Sequence, residues 1–288
     1  MTTYPHYTHL EATEHLFADG FRSTSALAGL KAHGPLAQGD CPAKPRVLFV
    51  FAEEFKDHAN RLFLALKNGI GPFRGVEQWF RFSLATDRVL RVKSFSVAGL
   101  PTKDAASRYA EAIEEFLESG ERVDLAFVLH PKTDIEDAHS PYYYSKFPLL
   151  SANIPAQSVT TELLDTRDLF QWSAGNIALQ AFSKMGGIPW AIATGMSEDS
   201  LIVGINRATI VDRGTGEVAR WWGFATVFST TGSIRAQPCF HPPKRVLNTL
   251  RHSGKLSPRV WQAGGGTSGH QRTSLFTSRR RSARMKLT

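Results

Sequence analysis

Five successive apolar residues, Val47-Leu48-Phe49-Val50-Phe51, narrow the folds open to this chain more than any other stretch. A run with no polar face to turn toward water reads as a strand covered on both sides, the situation of a parallel sheet between layers of helices. The flanking sequence supplies the helices. Glu53 and Glu54 open a helical pattern that reaches about Lys67, with Phe55, Leu62, Phe63 and Leu66 on its apolar side, and acidic residues in a first turn suit the helix dipole. A second pattern covers Asp104 to Leu117, with Ala106, Tyr109, Ile113 and Phe116 near one face, and Val123 to Leu129 reads as another buried strand ended by His130-Pro131. Trp79 to Phe82 and Val89 to Val97 are further strand candidates. A short helix from Tyr142 to about Phe147 closed by Pro148, a strand from Gln157 to Thr160, and a helix from Gly175 to Met185 continue the alternation. Strands alternating with helices predict βαβ units and a Rossmann-like α/β domain over residues 45–190. No G-x-G-x-x-G follows the first strand, so the pattern does not call for a nucleotide cofactor.

Residues 1–44 read as an irregular segment punctuated by Gly29, Gly34-Pro35 and Pro42-Ala43-Lys44-Pro45. After Pro189 the texture turns to strands: Trp190 to Ala193, Ser200 to Asn206, Thr209 to Asp212 and Trp221 to Phe228, with a turn at Asp212-Arg213-Gly214-Thr215-Gly216. A second, partial β domain is therefore expected over 191–237. Residues 238–288 differ from everything before them. They hold eleven Lys or Arg and no Asp or Glu, which leaves 23 basic against 26 acidic residues in 1–237, so the formal net charge of +8 belongs to this tail. A basic nucleic-acid arm, a disordered solvated tail and a shift of reading frame near Gln237 all remain open for it. Two cysteines, Cys41 and Cys239, are too few for a disulfide framework and fit a reducing compartment. No stretch reaches the roughly 18 apolar residues of a membrane span, and a soluble, cytoplasmic protein is expected.

Polar residues recur at helical spacing within this frame. Tyr142 and Lys146 are four apart, and so are Asn176, Gln180 and Lys184 in turn, with Gln157 between the two groups. Residues at i, i+4 and i+8 share one helix face, so each set presents its donors together. Two lysines and three amides suit a terminal phosphate of −1.5 to −2 charge, and Tyr142 adds a hydroxyl and a face for a base. The same residues also fit two solvated helices with aromatic packing. His130 reads as a strand-end residue, and Asp134, Glu136 and Asp137 as a solvated loop or a metal loop.

The run Tyr142-x-x-x-Lys146, Gln157, then Asn176-x-x-x-Gln180-x-x-x-Lys184-x-Gly186-Gly187-x-Pro189-Trp190 resembles the guide-binding MID domain of prokaryotic Argonautes. Leu201 to Asn206 and Gly223-Phe224-Ala225 are similar to the first strands of their RNase H-like PIWI domain, and Ala28-Gly29-Leu30 with Gly34-Pro35 resembles the start of the short, MID-PIWI class. The resemblance implies a MID-like domain over 45–190 followed by a truncated PIWI portion. It implies that Tyr142, Lys146, Gln157 and Lys184 hold the 5′-phosphate of a guide strand and that Asn176 and Gln180 line the same pocket. A divalent metal such as magnesium can join the phosphate in that family. PIWI nucleases hold two metal ions with carboxylates. The first of those carboxylates corresponds to Asn206, and no Asp or Glu follows Glu217, so guided binding without cleavage is expected. The implied partners are guide and target nucleic acid and an effector protein, NAD-consuming or nuclease, in prokaryotic defence against plasmids or phage. An RNase H-type guided nuclease and an α/β protein binding a small phosphorylated ligand are the alternatives.

Overall fold

A computed structural model describes residues 12–134, 137–193, 201–211, 214–215, 218–229, 234–236 and 239–240. The tail beyond Phe240, the turn residues Asp212, Arg213 and Gly216, and Glu136 of the acidic loop lie outside the described residues. The chain divides into two compact units, residues 1–206 with 224–239, and residues 207–223 with 240–288.

The first unit begins with strands β1 (His15–Leu16) and β2 (Arg22–Ser23) and helix α1 (Ala26–His33), where an irregular segment was expected. The helix is capped by Ser25, whose hydroxyl accepts from the Ala28 amide at 3.3 Å. It is weakly amphipathic, and its two buried residues, Gly29 and Leu30, are held by tertiary contacts that local periodicity does not reveal. An added Cβ on Gly29 would lie 2.1 Å from the Phe17 ring.

The central sheet follows. Strand β3 (Val47–Val50) leads through a short 3-10 turn into α2 (Lys56–Asn68) and then α3 (Val76–Phe80). Next come β4 (Val89–Arg91), α4 (Thr102–Glu118), β5 (Leu125–His130), α5 (Pro141–Ser151), β6 (Ala156–Thr160), α6 (Thr161–Asp165) and α7 (Arg167–Lys184). The sheet order is β4-β3-β5-β6, all parallel. Alternate residues of the strands enter different cores, as parallel strands covered on both faces require. Val47, Phe49, Leu125, Phe127 and Val159 pack with α2, α3 and α7, while Leu48, Val50, Ala126 and Val128 pack with α4 and α5. Strand β6 forms one edge, with α5 and α7 on opposite faces beside it.

Four elements around the central sheet differ from the sequence expectation for identifiable reasons. Trp79 to Phe82 is not a strand, because Val76, Trp79 and Phe80 stand at i, i+3 and i+4 and are buried together in α3, which ends at Arg81 in the left-handed region. The strand expected over Val89 to Val97 pairs with β3 only to Arg91, opposite Phe49; residues 96–98 instead wrap the Glu54 carboxylate, which accepts from the Ser96 hydroxyl and from the Val97 and Ala98 amides, the last two at 3.1 and 2.9 Å. Pro148 does not close α5, which runs on to Ser151 because Pro148 and Leu149 are buried and packing outweighs one lost backbone bond. Helix α7 also starts eight residues before Gly175. That glycine lies inside the helix where Trp79 packs closest, and a Cβ there would stand 3.1 Å from its ring.

Strand β7 (Ala191–Ile192) pairs with β1, which closes a small β2-β1-β7 sheet and ties the N-terminal segment to the exit of α7. The strands expected at Ser200–Asn206 and Thr209–Asp212 are one strand, β8 (Leu201–Val211), with no break at Asn206. It is followed by β9 (Val218–Ser229), β10 (Ile234–Ala236) and β11 (Cys239–Phe240), and β9 pairs with each of the other three.

Candidate functional site

Helices α5 and α7 lie on opposite faces of the sheet, so side chains from both can meet only around its edge, at β6. Lys184, the last residue of α7, extends its ammonium to this edge and donates to the Ala156 carbonyl at 2.6 Å and to Gln157 Oε1 at 2.8 Å. Gln157 is buried on the α7 side of the strand, and its Nε2 donates to the Ser158 carbonyl at 3.0 Å, which fixes Oε1 toward Lys184. From the other side, Lys146 donates to the Tyr142 hydroxyl at 2.7 Å and stands 4.8 Å from that ring's centre. Burial first, and then the like charge of Lys146, push the Lys184 ammonium below the ordinary lysine range. No carboxylate is recorded pairing with either ammonium among the described residues.

The like charge of Lys146 disfavours the Lys184 ammonium, and an anion bound near both would relieve that repulsion. The structure thus joins Tyr142 to Lys146 and Gln157 to Lys184 by hydrogen bonds, and the charge of Lys146 is felt at Lys184. Asn176 and Gln180 share the exposed face of α7 with Lys184, as the spacing predicts, yet their surroundings differ. Asn176 is eight residues back, about 12 Å along the axis. It lines a separate groove of about 560 Å³ with Leu27, Trp79, Trp172, Leu179 and Trp190 among its walls. Gln180 lies between the two places.

His130 joins the site without having been singled out for it. It ends β5, is 4 % exposed, and faces Tyr142 with ring centroids 6.3 Å apart. Its Nδ1 donates to the Pro131 carbonyl at 2.8 Å, and its Nε2 is buried with no hydrogen-bond partner. Burial lowers its pKa, which keeps the ring neutral. The loop that follows is held by Glu162, whose two carboxylate oxygens accept from the Lys132 amide at 3.0 and 2.9 Å. Asp137 Oδ1 accepts from the His139 amide at 2.8 Å, the geometry of a turn former. Among the described residues no three His, Cys, Asp or Glu side chains lie together as a metal cage. The donors at the socket are cations and amides, which fit an anion and not a metal on their own. Asn206 lies exposed within β8, five residues before the strand's end. Among the described residues no helix is long and apolar enough to cross a membrane.

With this geometry in hand, comparison with known proteins gives a consistent picture. No family model matches the chain. A curated protein argonaute from Cereibacter sphaeroides is 26% identical over 216 residues, which is 72% of this chain and 28% of that protein. Among solved structures, the Argonaute of Clostridium butyricum bound to a guide DNA and a 19-mer target DNA matches 81% of this chain and 30% of its own, with a TM-score of 0.58 and 15% identity. The Argonaute called Aa-Ago, solved with externally bound siRNA, matches 83% of this chain and 32% of its own, with a TM-score of 0.52 and 18% identity. The resemblance to prokaryotic Argonautes thus extends over most of this chain in both sequence and fold. The chain spans less than a third of the length of each of these relatives.

Proposed function

We propose that this chain anchors the 5′-phosphate of a guide strand in an Argonaute-like protein that pairs the guide with a target and does not cleave it. Sequence choice then comes from base pairing, while the protein reads backbone and ends, as in other guided systems. The observation that carries this reading is the Lys184 ammonium, held at the β6 edge by Gln157 and the Ala156 carbonyl, with the like charge of Lys146 acting on it. The relatives named above are Argonautes, and one was solved with guide and target DNA bound. Tyr142 offers an aromatic face beside the socket for the first base, a contact worth about 1–3 kcal/mol in single-strand binders. The absence of cleavage rests on Asn206, whose neutral amide lacks the negative charge a two-metal site uses. A divalent ion beside the phosphate, an effector protein partner, a role in defence against plasmids or phage, and a cytoplasmic location complete the proposal.

Binding of one oligonucleotide with either a 5′-phosphate or a 5′-hydroxyl tests the anchoring. The phosphorylated form binds more tightly, and short sugar phosphates compete weakly against it. Equal binding of the two forms would remove the phosphate socket, and full displacement by a sugar phosphate would favour a small-ligand protein. Incubation of guide-paired target with magnesium or manganese leaves the target intact; a cut product would make the chain a nuclease.

A further inference from the structure

The position of Lys184 depends on residues almost 150 positions earlier in the chain. Helix α7 ends on Lys184, and its last turn is closed by Met185, Gly186 and Gly187, whose amides donate to the carbonyls of Ala181, Ser183 and Phe182 at 3.1, 3.1 and 3.0 Å. Gly186 adopts φ +93°, the left-handed exit that glycine permits. Directly against this turn runs the segment 36–40. Leu36 and Ala37 donate to the carbonyls of Pro189 and Ile188 at 3.0 and 3.1 Å, and Ile188 donates back to Ala37 at 2.9 Å. Gln38 Nε2 fastens the same segment to the Phe80 carbonyl of α3 at 2.8 Å. Gly39, at φ +54°, comes so close that a Cβ on it would stand 2.1 Å from the Gly186 carbonyl oxygen, and a Cβ on Gly186 would stand 2.8 Å from Cβ of Asp40. Both contacts lie within two residues of Lys184.

We infer that Gly39 and Gly186 are positioning residues for the phosphate socket: the N-terminal segment clamps the exit turn of α7 and so sets where the Lys184 ammonium falls. The inference deepens the proposed function and rests on Lys184 as a phosphate ligand. The backbone oxygen of Gly186 cannot swing aside as a side-chain tip can, so a methyl group at position 39 displaces the turn and with it the root of Lys184. Binding groups lose their effect when displaced by more than about 0.5 Å, and Lys184 has two acceptors to miss. No motif within residues 1–44 points to the site; the contact between Gly39 and Gly186, far apart in the chain, supplies the link.

Gly120→Ala serves as the control, because Gly120 also has a positive φ of +68° but nothing within 4 Å of an added Cβ. It carries the left-handed strain without the clash. Melting temperature and the affinity ratio of 5′-phosphorylated to 5′-hydroxyl oligonucleotide are measured for the whole chain and for each variant. Gly120→Ala lowers the melting temperature and keeps the ratio. Gly39→Ala and Gly186→Ala each lower the ratio about tenfold, the worth of one hydrogen bond to a charged group. Asp40→Gly added to Gly186→Ala removes the atom that the new methyl meets and restores most of the ratio. Should Gly39→Ala not fold, the Gly186→Ala variant with and without Asp40→Gly decides the matter alone. The inference is overturned if the glycine variants keep the full ratio while Lys184→Ala loses it. A wild-type chain with no preference for the phosphate sinks the proposed function first and this clamp with it.

Discussion

The C-terminal end and the middle of α7 present polar side chains on the same face and meet different surroundings. At its C-terminal end Lys184 is drawn onto the sheet edge, where Gln157 and the Ala156 carbonyl hold it and Lys146 stands opposite. Two turns earlier Asn176 opens onto a groove walled by Trp79, Trp172 and Trp190. Helical periodicity assigns a residue to a face, and the tertiary neighbours of each turn decide what that face is for. The proposed phosphate socket lies at the end of α7 that meets the edge strand, where the charge of Lys146 on α5 also acts.

The most severe way to disturb this contrast is to remove the packing beneath the C-terminal half of α7. Phe182 is fully buried, with its ring 5.2 Å from Phe80 and 6.2 Å from Phe82, and it fills the space beside Gly187. Phe182→Ala costs about 3–5 kcal/mol of stability, read from denaturant unfolding; a loss below about 1 kcal/mol would show that α7 does not depend on this cluster. Next in size is the double variant Lys146→Ala with Lys184→Ala. Each charged hydrogen bond is worth about 1.5–3 kcal/mol, so the preference for a 5′-phosphate falls by about a hundredfold or more while 5′-hydroxyl binding changes little. Gln157→Leu keeps the shape and removes the acceptor that aims Lys184, and the preference falls about three- to tenfold.

The pH profile sharpens the same point. In the proposed socket Lys184 meets the phosphate as an ammonium, the form present below its pKa, and that pKa is lowered by burial and by Lys146. The preference therefore begins to fall as pH rises, at a lower pH than an ordinary lysine would give. A preference that holds unchanged through the ordinary lysine range in a titration of oligonucleotide affinity would place Lys184 outside the socket. The smallest effect belongs to the middle of the helix: Asn176→Ala alters the phosphate preference by less than about twofold, the range of surface substitutions away from a site. A tenfold loss there would join the groove to the socket and erase the comparison.

Much of the fold was legible because parallel strands buried on both faces cannot hide. Val47 to Val50 and Leu125 to His130 fall where continuous apolar runs place them, and α4 follows its apolar stripe. What was missed depended on contacts distant in the chain. Helix α1 has little amphipathic pattern of its own and is held by Phe17 above Gly29. The true start of α7 was hidden because Gly175 looks like a boundary, whereas it is a place for Trp79 to approach. In the site, the pairing of Tyr142 with Lys146 and the spacing of Lys184 could be read from the sequence, and the resemblance put Gln157 with them; that Lys184 bonds Gln157 directly follows from β6 being an edge. His130 gave only the signal of a polar residue ending an apolar strand, and its burial against Tyr142 follows from the tertiary fold.

The central claim, that Lys184 meets the terminal phosphate itself, is tested most directly by a double-mutant cycle between protein and ligand. Affinities are measured for wild type and Lys184→Ala with 5′-phosphorylated and 5′-hydroxyl forms of one oligonucleotide. Direct contact predicts a coupling energy of about 1.5 kcal/mol or more. A coupling near zero, with Lys184→Ala weakening both forms alike, would contradict the account.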